Sequence, residues 1–267
     1  MKRADASMLD ASFIRPIAHR GFHSMREPGA TPRRIENSAS AFRAAIERRY
    51  GIECDLQPSR DGVAIVHHDE TLRRLTARDE RVDSLAAAEL AAIPYRGSAD
   101  RLITLGELFE MTAGRVPLLV EIKSEWQPLP AAFLDDIATR AKAYSASTGG
   151  PIALMSFDPA VMVEMRHRAP NIPRGIVSGA YQPSPADDWW SEHLSPERQY
   201  RLAHLLESRD AAPDFISYHV PALPTPVTRY IREVQRLPLF CWTVRTADDR
   251  RTAQDYADAP TFEGYEA

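Results

Sequence analysis

The sequence has few cysteines and no long apolar run, and each shortage excludes a class of protein. Only two cysteines, Cys54 and Cys241, occur in 267 residues, and both lie in apolar, strand-like segments. We expect them to be buried free thiols in a reducing compartment, which excludes a disulfide framework. No apolar stretch reaches the roughly 20 residues of a transmembrane helix, so we expect no stable membrane insertion.

Strong charge and a signal-peptide pattern are also missing. The formal net charge at pH 7 is −4, and no basic stripe indicates a nucleic-acid partner. The first residues, MKRADASMLDASFIRP, begin with basic side chains but lack the apolar core of a signal peptide. The sequence therefore predicts a cytoplasmic protein that binds no nucleic acid, and it leaves an oligomer possible.

Apolar, strand-like runs alternate with helix-like segments along the chain. The strand-like runs are RPIAHRG, GIECDLQ, VAIVHHD, VPLLVEIKS, PIALMSF, PRGIVSG, DFISYHV, LPLFCWTV and TFEGY. The helix candidates are SASAFRAAIERRY, PAVMVEMRHRA, SPERQYRLAHLLESR, PTPVTRYIREVQRL and ADDRRTAQDYAD. Such alternation is typical of parallel strands joined by crossover helices.

One connection is too short for a crossover. Only six residues, Gln57 to Gly62, separate the second run from VAIVHHD, whereas a parallel crossover needs about a dozen. VAIVHHD should therefore return antiparallel as a hairpin arm. Eight strands then remain parallel, which predicts a (β/α)8 TIM barrel. The alternative is a doubly wound open sheet, which no glycine-rich phosphate loop supports.

The hairpin turn decides where His68 lies. A two-residue loop, Asp61-Gly62, would place His68 opposite Asp55. A four-residue loop, Ser59 to Gly62, would place it opposite Glu53. Either register brings this histidine beside the carboxylates of the preceding strand.

Two strands carry paired charges on one face. Glu53 and Asp55 share a face because side chains alternate along a strand, and Glu121 and Lys123 do the same in LLVEIKS. In a barrel such a face points into the lumen, near the catalytic ends of the strands. Buried carboxylates without a partner are costly, so we expect them to neutralise a cation. Three carboxylates favour one hard divalent ion, Mg²⁺ or Ca²⁺.

Histidines and further cations accompany these carboxylates. His19 and His68 are candidates for an acid/base pair. Arg20 and Lys123 are donors suited to a phosphate group. With a bound divalent ion as Lewis acid, this set of residues indicates phosphoryl chemistry.

The ordered motifs resemble the glycerophosphodiester phosphodiesterase family of the phospholipase-C-like phosphodiesterase superfamily. The resemblance is carried by IAHRG, Glu36-Asn37-Ser38, the E-x-D of Glu53 and Asp55, RDG-VAIV-HHDETLRRLT, and EIK. It is clear over residues 16–123 and softer beyond, at Ser156-Phe157 and Trp242-Thr243-Val244.

The resemblance implies one TIM-barrel domain over residues 1–267 with the hairpin arm after the second strand. Residues 1–13 would be an N-terminal extension, and 70–115 a family insertion with the short helices SLAAAELAAI and TLGELFEM. The implied reaction is metal-dependent hydrolysis of a small-molecule glycerophosphodiester to glycerol 3-phosphate and an alcohol. One histidine would take the proton of the attacking glycerol 2-hydroxyl, and the other would protonate the leaving alcohol. Water would then open the cyclic phosphate.

The resemblance also implies a role for each candidate residue. The metal ligands would be Glu53, Asp55 and Glu121, and the acid/base residues His19 and His68. The substrate-binding residues would be Arg20, Lys123, Glu36 and Trp242, although Trp242 could instead pack the inner barrel wall. Asp69 and Arg74 are expected to fix the turn after His68.

The sequence departs from the family pattern in three places. The loop Phe22 to Ile35 is long, Arg245 stands where an Asn is common, and the last strand reads TFEGY instead of T-D-x-P. We expect these departures to affect the alcohol preference. Trp189-Trp190 is interpreted either as a lid, as a membrane-touching patch or as a buried anchor.

Three rival functions use parts of the same pattern. A phospholipase D-like lyase on lysophospholipids would stop at a cyclic phosphate. A barrel that only binds phosphate or glycerol would not need intact histidines and carboxylates. A glycosidase could use paired carboxylates but would not need Arg20, Lys123 or His68.

Overall fold

A computed structural model of the protein describes residues 8–24, 34–181 and 194–267. Its single sheet contains β1 (Ile17–Ala18), β2 (Gly51–Pro58), β3 (Ala64–Val66), β4 (Ile103–Thr104), β5 (Leu118–Ile122), β6 (Ile152–Ser156), β7 (Arg174–Ser178), β8 (Phe215–His219), β9 (Leu239–Val244) and β10 (Ala259–Phe262). All strands except β3 and β4 are parallel, and β1 pairs with both β10 and β2. The sheet is therefore closed, which confirms the TIM barrel and excludes the open sheet.

The helices of the described chain cover the outside of this barrel. They are α1 (Ala39–Glu47), α2 (Ala87–Leu90), α3 (Leu105–Thr112), α4 (Ala131–Thr148), α5 (Pro159–Arg168), α6 (Pro196–Ala203), α7 (Pro226–Arg229) and α8 (Ala247–Tyr256). A π-helical turn, Tyr230–Gln235, continues α7, and short 3-10 helices span Ala11–Phe13, Val82–Ser84 and Val220–Ala222. No helix in these residue ranges is both long enough and apolar enough to cross a bilayer.

None of the helix candidates predicted from the sequence covers α4, the longest of these helices at 18 residues. Its buried side chains, Phe133, Leu134, Ile137, Ala138, Ala141 and Tyr144, recur at helical spacing and could have identified it. The last strand is also shifted, because it ends at Phe262 instead of continuing to Tyr265.

The hairpin arm exists, but both predicted registers are wrong. Leu56 pairs with Val66, and the Ser59 N–H donates to the Val63 carbonyl at 3.0 Å. The loop therefore has three residues, 60–62, and ends on Gly62 at φ 79°. A glycine with left-handed backbone is what a three-residue hairpin loop requires. His68 consequently lies just beyond the last pair of the ladder.

The barrel lumen divides into an apolar lower part and a charged upper part. The lower part is filled by Phe13, Ile17, Leu119, Ala153, Met155, Val177, Phe215, Phe240 and Ala259. Phe13 precedes β1 and is fully buried, with its ring 6.5 Å from that of Phe240. The 3-10 helix before β1 thus closes the N-terminal end of the barrel, and polar side chains are left for the other end.

A second small core lies beneath the segment between β3 and α3. Its buried members are Ile35, Ile65, Leu72, Leu75, Val82, Leu90, Ile93, Tyr95 and Leu102. The helix α3 that follows packs instead into the main core around the barrel. The segment therefore rests against one side of the barrel mouth.

Candidate active site

The three predicted metal-ligating carboxylates converge at the C-terminal ends of neighbouring strands. Glu53 and Asp55 lie on β2, and Glu121 lies on β5 as the direct register partner of Asp55. One oxygen from each lies within 4.8 Å of the others, and all three side chains are buried. The two-residue period of the strands and the closure of the barrel together produce this cluster.

Much of the negative charge of the cluster is uncompensated. Burial, and then repulsion from the other two carboxylates, raises the pKa of Glu53 well above its usual value. Burial and Asp55 also raise the pKa of Glu121. For Asp55 burial acts in the same direction, but Lys123 and Arg20 outweigh it and lower the pKa. Because three buried carboxylates lie within 4.8 Å of one another and their mutual repulsion opposes ionisation, the donor set fits a hard divalent cation.

Two cations border the cluster. Lys123 Nζ lies 2.9 Å from Asp55 Oδ1 and also contacts Glu121. Arg20 Nε lies 3.2 Å from Asp55 Oδ2, and its backbone N–H donates to Glu53 Oε2 at 2.8 Å. Both predicted phosphate-binding cations are therefore at the site, held by the carboxylates themselves.

The backbone at the end of β1 explains the position of Arg20. Arg20 and Gly21 both adopt positive φ, 53° and 78°, so the chain reverses sharply there. A Cβ at Gly21 would lie 2.9 Å from Phe42 Cδ1, which leaves room for glycine only. The reversal turns the Arg20 N–H back toward β2.

Glu36 and Asn37 support the site from the loop before α1. Asn37 Nδ2 donates to Asp55 Oδ2 at 2.8 Å, and Asn37 Oδ1 accepts from the Asp55 N–H at 3.3 Å. Glu36 Oε1 accepts from Arg20 at 2.7 Å and from Arg74 at 2.6 Å. Glu36 therefore holds Arg20 through this hydrogen bond and links it to Arg74.

Each predicted acid/base histidine bonds a carboxylate through Nδ1. His19 Nδ1 lies 3.0 Å from Glu263 Oε2, and His68 Nδ1 lies 2.7 Å from Asp69 Oδ1. Because a carboxylate only accepts hydrogen bonds, each contact favours the tautomer with the proton on Nδ1, in which Nε2 is the basic atom. Burial and then Arg20 lower the pKa of His19 to about 4, and burial and then Lys123 lower that of His68 to about 3. Both rings are neutral at pH 7.

The neighbouring His67 has a different environment. Its ring is fully buried, and Nε2 lies 3.3 Å from the Thr71 carbonyl oxygen. His68, in contrast, lines an open cavity. His68, and not His67, is therefore the histidine of the arm that lines the cavity.

A cavity of about 560 Å³ reaches Glu121, one of the three clustered carboxylates, and is also lined by His68. His68, Glu121 and Lys123 line its inner end, and Phe157 lies on its wall. Its outer part is lined by residues 57–58, 69–71, 124–125 and 127–130, together with Arg81 and Asp83. The hairpin arm and the loop after β5 thus enclose a space next to the candidate centre.

Aromatic side chains form part of the barrel mouth. Trp242, at the end of β9, packs edge-to-face on Phe157 with ring centroids 5.2 Å apart. The ring of His219 lies 4.7 Å from that of Trp242, and the indole N–H donates to the Ser217 carbonyl at 3.4 Å. Trp242 is therefore fixed by its neighbours and belongs to the wall of the mouth.

Sequence reasoning missed part of the support for the histidines. It named Asp69 and Arg74 only as turn residues, whereas Asp69 bonds His68 directly. It noted TFEGY and Arg245 only as departures, whereas Glu263 bonds both His19 and Arg245. The available signal was Glu263, a carboxylate within the predicted last strand TFEGY. Trp189-Trp190 and residues 25–33 of the long loop lie outside the described residues.

Comparison with known proteins supports this interpretation of the motifs. The sequence matches the model of the glycerophosphoryl diester phosphodiesterase family over residues 19–258. It is 29% identical over 181 residues to a glycerophosphodiester phosphodiesterase of Caldanaerobacter subterraneus subsp. tengcongensis, covering 65% of this chain and 69% of that protein. It is also 29% identical over 129 residues to the mouse (Mus musculus) lysophospholipase D GDPD3, covering 43% of this chain and 36% of that protein.

The fold is shared with solved structures. One is a phosphodiesterase of Oleispira antarctica in complex with the product sn-glycerol-3-phosphate. It aligns with a TM-score of 0.66 and 19% identity, covering 93% of this chain and 92% of that one. At 19% identity, this structural similarity shows that the two proteins share the barrel fold.

Proposed function

Because the chain belongs to the glycerophosphoryl diester phosphodiesterase family, we propose that it hydrolyses glycerophosphodiesters to glycerol 3-phosphate and an alcohol by metal-dependent, two-histidine catalysis. The observation that carries this proposal is the cluster of three buried carboxylates within 4.8 Å. The Nδ1-bonded histidines described above support it, because they offer basic Nε2 atoms at the same mouth.

Glu53, Asp55 and Glu121 would hold one divalent ion. Carboxylate oxygens suit Mg²⁺ and Ca²⁺, and the raised pKa of Glu53 reflects charge that a cation would neutralise. When bound, such an ion polarises a phosphate oxygen and stabilises the charge that develops on it. Arg20 and Lys123 border the cluster and would bind the remaining phosphate oxygens.

The two histidines take complementary roles in the proposal. We assign proton transfer to the leaving alcohol to His68, because His68 lines the cavity in which the alcohol can lie. His19 Nε2 then accepts the proton of the glycerol 2-hydroxyl that attacks phosphorus. The first step requires a protonated His68, which the charge of a bound phosphodiester anion favours. The roles reverse when water opens the cyclic phosphate, because neutral His68 then takes the proton of water and His19 returns its proton to the 2-oxygen.

Glu36 and Trp242 complete the substrate-binding set. Glu36 orients Arg20 through a 2.7 Å hydrogen bond and so sets the direction of its guanidinium. Trp242 offers an apolar wall on the opposite side of the mouth from the charged residues, suited to the carbon atoms of glycerol. Substituting Trp242→Ala should therefore raise KM more than it lowers kcat.

A substrate panel tests the proposal. Glycerophosphodiesters with choline, ethanolamine, glycerol and inositol head groups are incubated with Mg²⁺ or Ca²⁺, and glycerol 3-phosphate is measured by a coupled assay. We expect its release from at least one substrate, and none in the presence of EDTA. Failure with the whole panel and both metals, or full activity with EDTA, would contradict the proposal.

A lysophospholipase D-like reaction is the second candidate. It is favoured by the likeness to a relative that is named for this activity. Phosphorus NMR of the reaction with a lysophospholipid distinguishes the two functions. A lasting cyclic phosphate signal would support a lyase, whereas glycerol 3-phosphate from a glycerophosphodiester supports the first candidate.

We also infer a cytoplasmic location and a small-molecule partner. The two cysteines are free and buried, which agrees with a reducing compartment. Cell fractionation tests the location, and gel filtration tests whether the protein forms an oligomer.

A further inference from the structure

Glu263 is placed by the sheet so that it can reach His19. It follows the last residue of β10, and its backbone N–H donates to the Val244 carbonyl at 3.1 Å. Its side chain is only 9% exposed, and Oε2 lies 3.0 Å from His19 Nδ1. A buried carboxylate at Nδ1 fixes both the tautomer and the plane of an imidazole.

Arg245 holds the same carboxylate oxygen. Its Nη2 lies 2.9 Å and its Nε 3.2 Å from Glu263 Oε2, the atom that also faces His19. The backbone of Arg245 is fixed in turn, because its N–H donates to Asp249 Oδ2 at 3.0 Å. The other oxygen, Oε1, faces His23 Nε2 at 3.8 Å. The carboxylate is thus clamped and cannot rotate away from His19 without losing an ion pair.

The second histidine has the same arrangement, built from a different part of the chain. Asp69 bonds His68 Nδ1, and Arg74 Nε lies 2.6 Å from Asp69 Oδ2. Each acid/base candidate therefore has a carboxylate at Nδ1 and an arginine behind that carboxylate. A pair of groups that exchange acid and base roles needs each ring held in one tautomer, and a carboxylate at Nδ1 favours the same tautomer in both rings.

The two residues behind His19 lie in two of the segments where the resemblance leads us to expect a departure from the family pattern. Arg245 follows Trp242-Thr243-Val244, and Glu263 lies in TFEGY. The structure shows that the two departures contact each other, so they are expected to act as one unit and not as separate changes.

We propose that Glu263 and Arg245 are positioning residues that fix the ring of His19 with Nε2 as its basic atom. The inference rests on the proposed function for its kinetic consequence. The geometric part, the tautomer of His19, can be tested without knowing the substrate.

The test uses Glu263→Gln, Glu263→Asp, Arg245→Gln and the double variant Glu263→Gln/Arg245→Gln. Glu233→Gln is the control, because it makes the same chemical change at a glutamate whose ion pair with Arg229 is exposed to solvent. Circular dichroism checks that each variant is folded. The readouts are kcat and KM on the best substrate of the panel, and ¹⁵N NMR of the His19 ring without substrate.

We expect Glu263→Gln to lower kcat by roughly 10²–10⁴-fold with little change in KM, as happens when a histidine loses its tautomer-fixing carboxylate. The His19 ¹⁵N signals should shift from one tautomer to a mixture. Glu263→Asp should restore part of kcat. Arg245→Gln should have a smaller effect alone and no further effect in the Glu263→Gln background.

Three results would overturn the inference. The first is a folded Glu263→Gln variant with an unchanged His19 tautomer. The second is a kcat of that variant within about twofold of the control, and the third is additive effects of the two substitutions. If the unaltered protein hydrolyses nothing on the panel, the proposed function fails, but the NMR measurement still decides the positioning role.

Discussion

Asp55 and Glu121 face each other directly across β2 and β5, and the ammonium of Lys123 contacts both carboxylates. The protein thus places one of its own cations at the carboxylate pair, yet the pKa of Glu121 is still raised by burial and by Asp55. Lys123 and Arg20 together carry less charge than three ionised carboxylates, and this remaining negative charge is the basis of the first prediction.

Substituting Asp55→Asn or Glu121→Gln should remove metal binding and leave the fold intact. Activity should fall by about 10²–10³-fold or more, the scale of losing one electrostatic stabiliser of a transition state. Mg²⁺ or Ca²⁺ at 100 times Kd should stabilise the unaltered protein by about 2.7 kcal/mol, measured as a higher melting temperature, but should not stabilise either variant. The exposed Asp255→Asn serves as control, and an undiminished metal effect in Asp55→Asn would refute the assignment.

Substituting Glu36→Gln should change how stability depends on acid pH. Burial alone would raise the pKa of Glu36, but the hydrogen bond and charge of Arg74 and the charge of Arg20 outweigh it and lower the pKa from 4.5 to about 2. The folded pKa lies below the unfolded one, so this stability is present above pH 4.5 and is lost as pH falls toward 2. Its size is on the order of 3 kcal/mol.

Urea denaturation at several pH values measures this effect. The free energy of unfolding of Glu36→Gln should fall less steeply between pH 4.5 and 2 than that of the unaltered protein. The exposed Glu47→Gln should keep the original slope. Equal slopes for all three proteins would show that Glu36 does not carry the acid sensitivity.

Substituting Asp69→Asn should affect substrates according to their leaving group. Asp69 holds His68, and His68 is the proposed acid, so loss of Asp69 should slow release of an alkyl alcohol by about 10²-fold or more. The p-nitrophenolate released from a p-nitrophenyl phosphodiester needs little protonation, so the loss of activity with that substrate should stay below about tenfold. Steady-state kinetics on both substrate types provide the comparison.

The control for this prediction lies on the other histidine. Glu263→Gln acts on His19, the proposed base, and its defect should be equally large with both leaving groups. Suppose instead that the p-nitrophenyl substrate shows a smaller loss of activity for Glu263→Gln but not for Asp69→Asn. His19 would then be the acid and His68 the base, the reverse of the proposed roles.

Substituting Gly62→Ala should destabilise the hairpin arm. Gly62 has a φ of 79°, and a Cβ there would lie 2.6 Å from Ala132 Cβ at the start of α4. Gly97 is the matched control, because its φ is 68° but a Cβ added there would have no neighbouring atom within 4 Å. Gly97→Ala should cost about 1 kcal/mol of backbone strain, whereas Gly62→Ala should cost about 2–4 kcal/mol, as strain and overpacking add. Equal unfolding free energies in urea for the two variants would contradict this prediction.

Local pattern was enough to predict the barrel and the convergence of its charged groups. The six-residue gap after Leu56 identified the hairpin, and the two-residue period placed Glu53 and Asp55 on one face. The exact register was not predictable in this way, because it depends on whether Gly62 or a neighbour takes the left-handed position in the loop. Lengthening or shortening the loop by one residue shifts the position of His68 by one residue along β2.

The partner of His19 was beyond local pattern altogether. Glu263 and His19 are separated by 244 positions in the chain, and only closure of β10 onto β1 brings them together. The family resemblance drew attention to His19 and His68 as candidates, but it did not predict this contact. Long-range contacts at a barrel seam require the structure.

The short first strand has a consequence for how the protein is made on the ribosome. Ile17 pairs with Gly51 of β2, but its other strand partner is Thr261, and Phe13 packs against Phe240. These two later neighbours become available to the amino-terminal segment only after the residues up to about 261 have been synthesised. Until then the nascent chain carries an open sheet edge and an exposed phenylalanine, features that favour aggregation and chaperone binding. Closure of the ring, and with it assembly of the His19 side of the catalytic mouth, is therefore among the last events of folding.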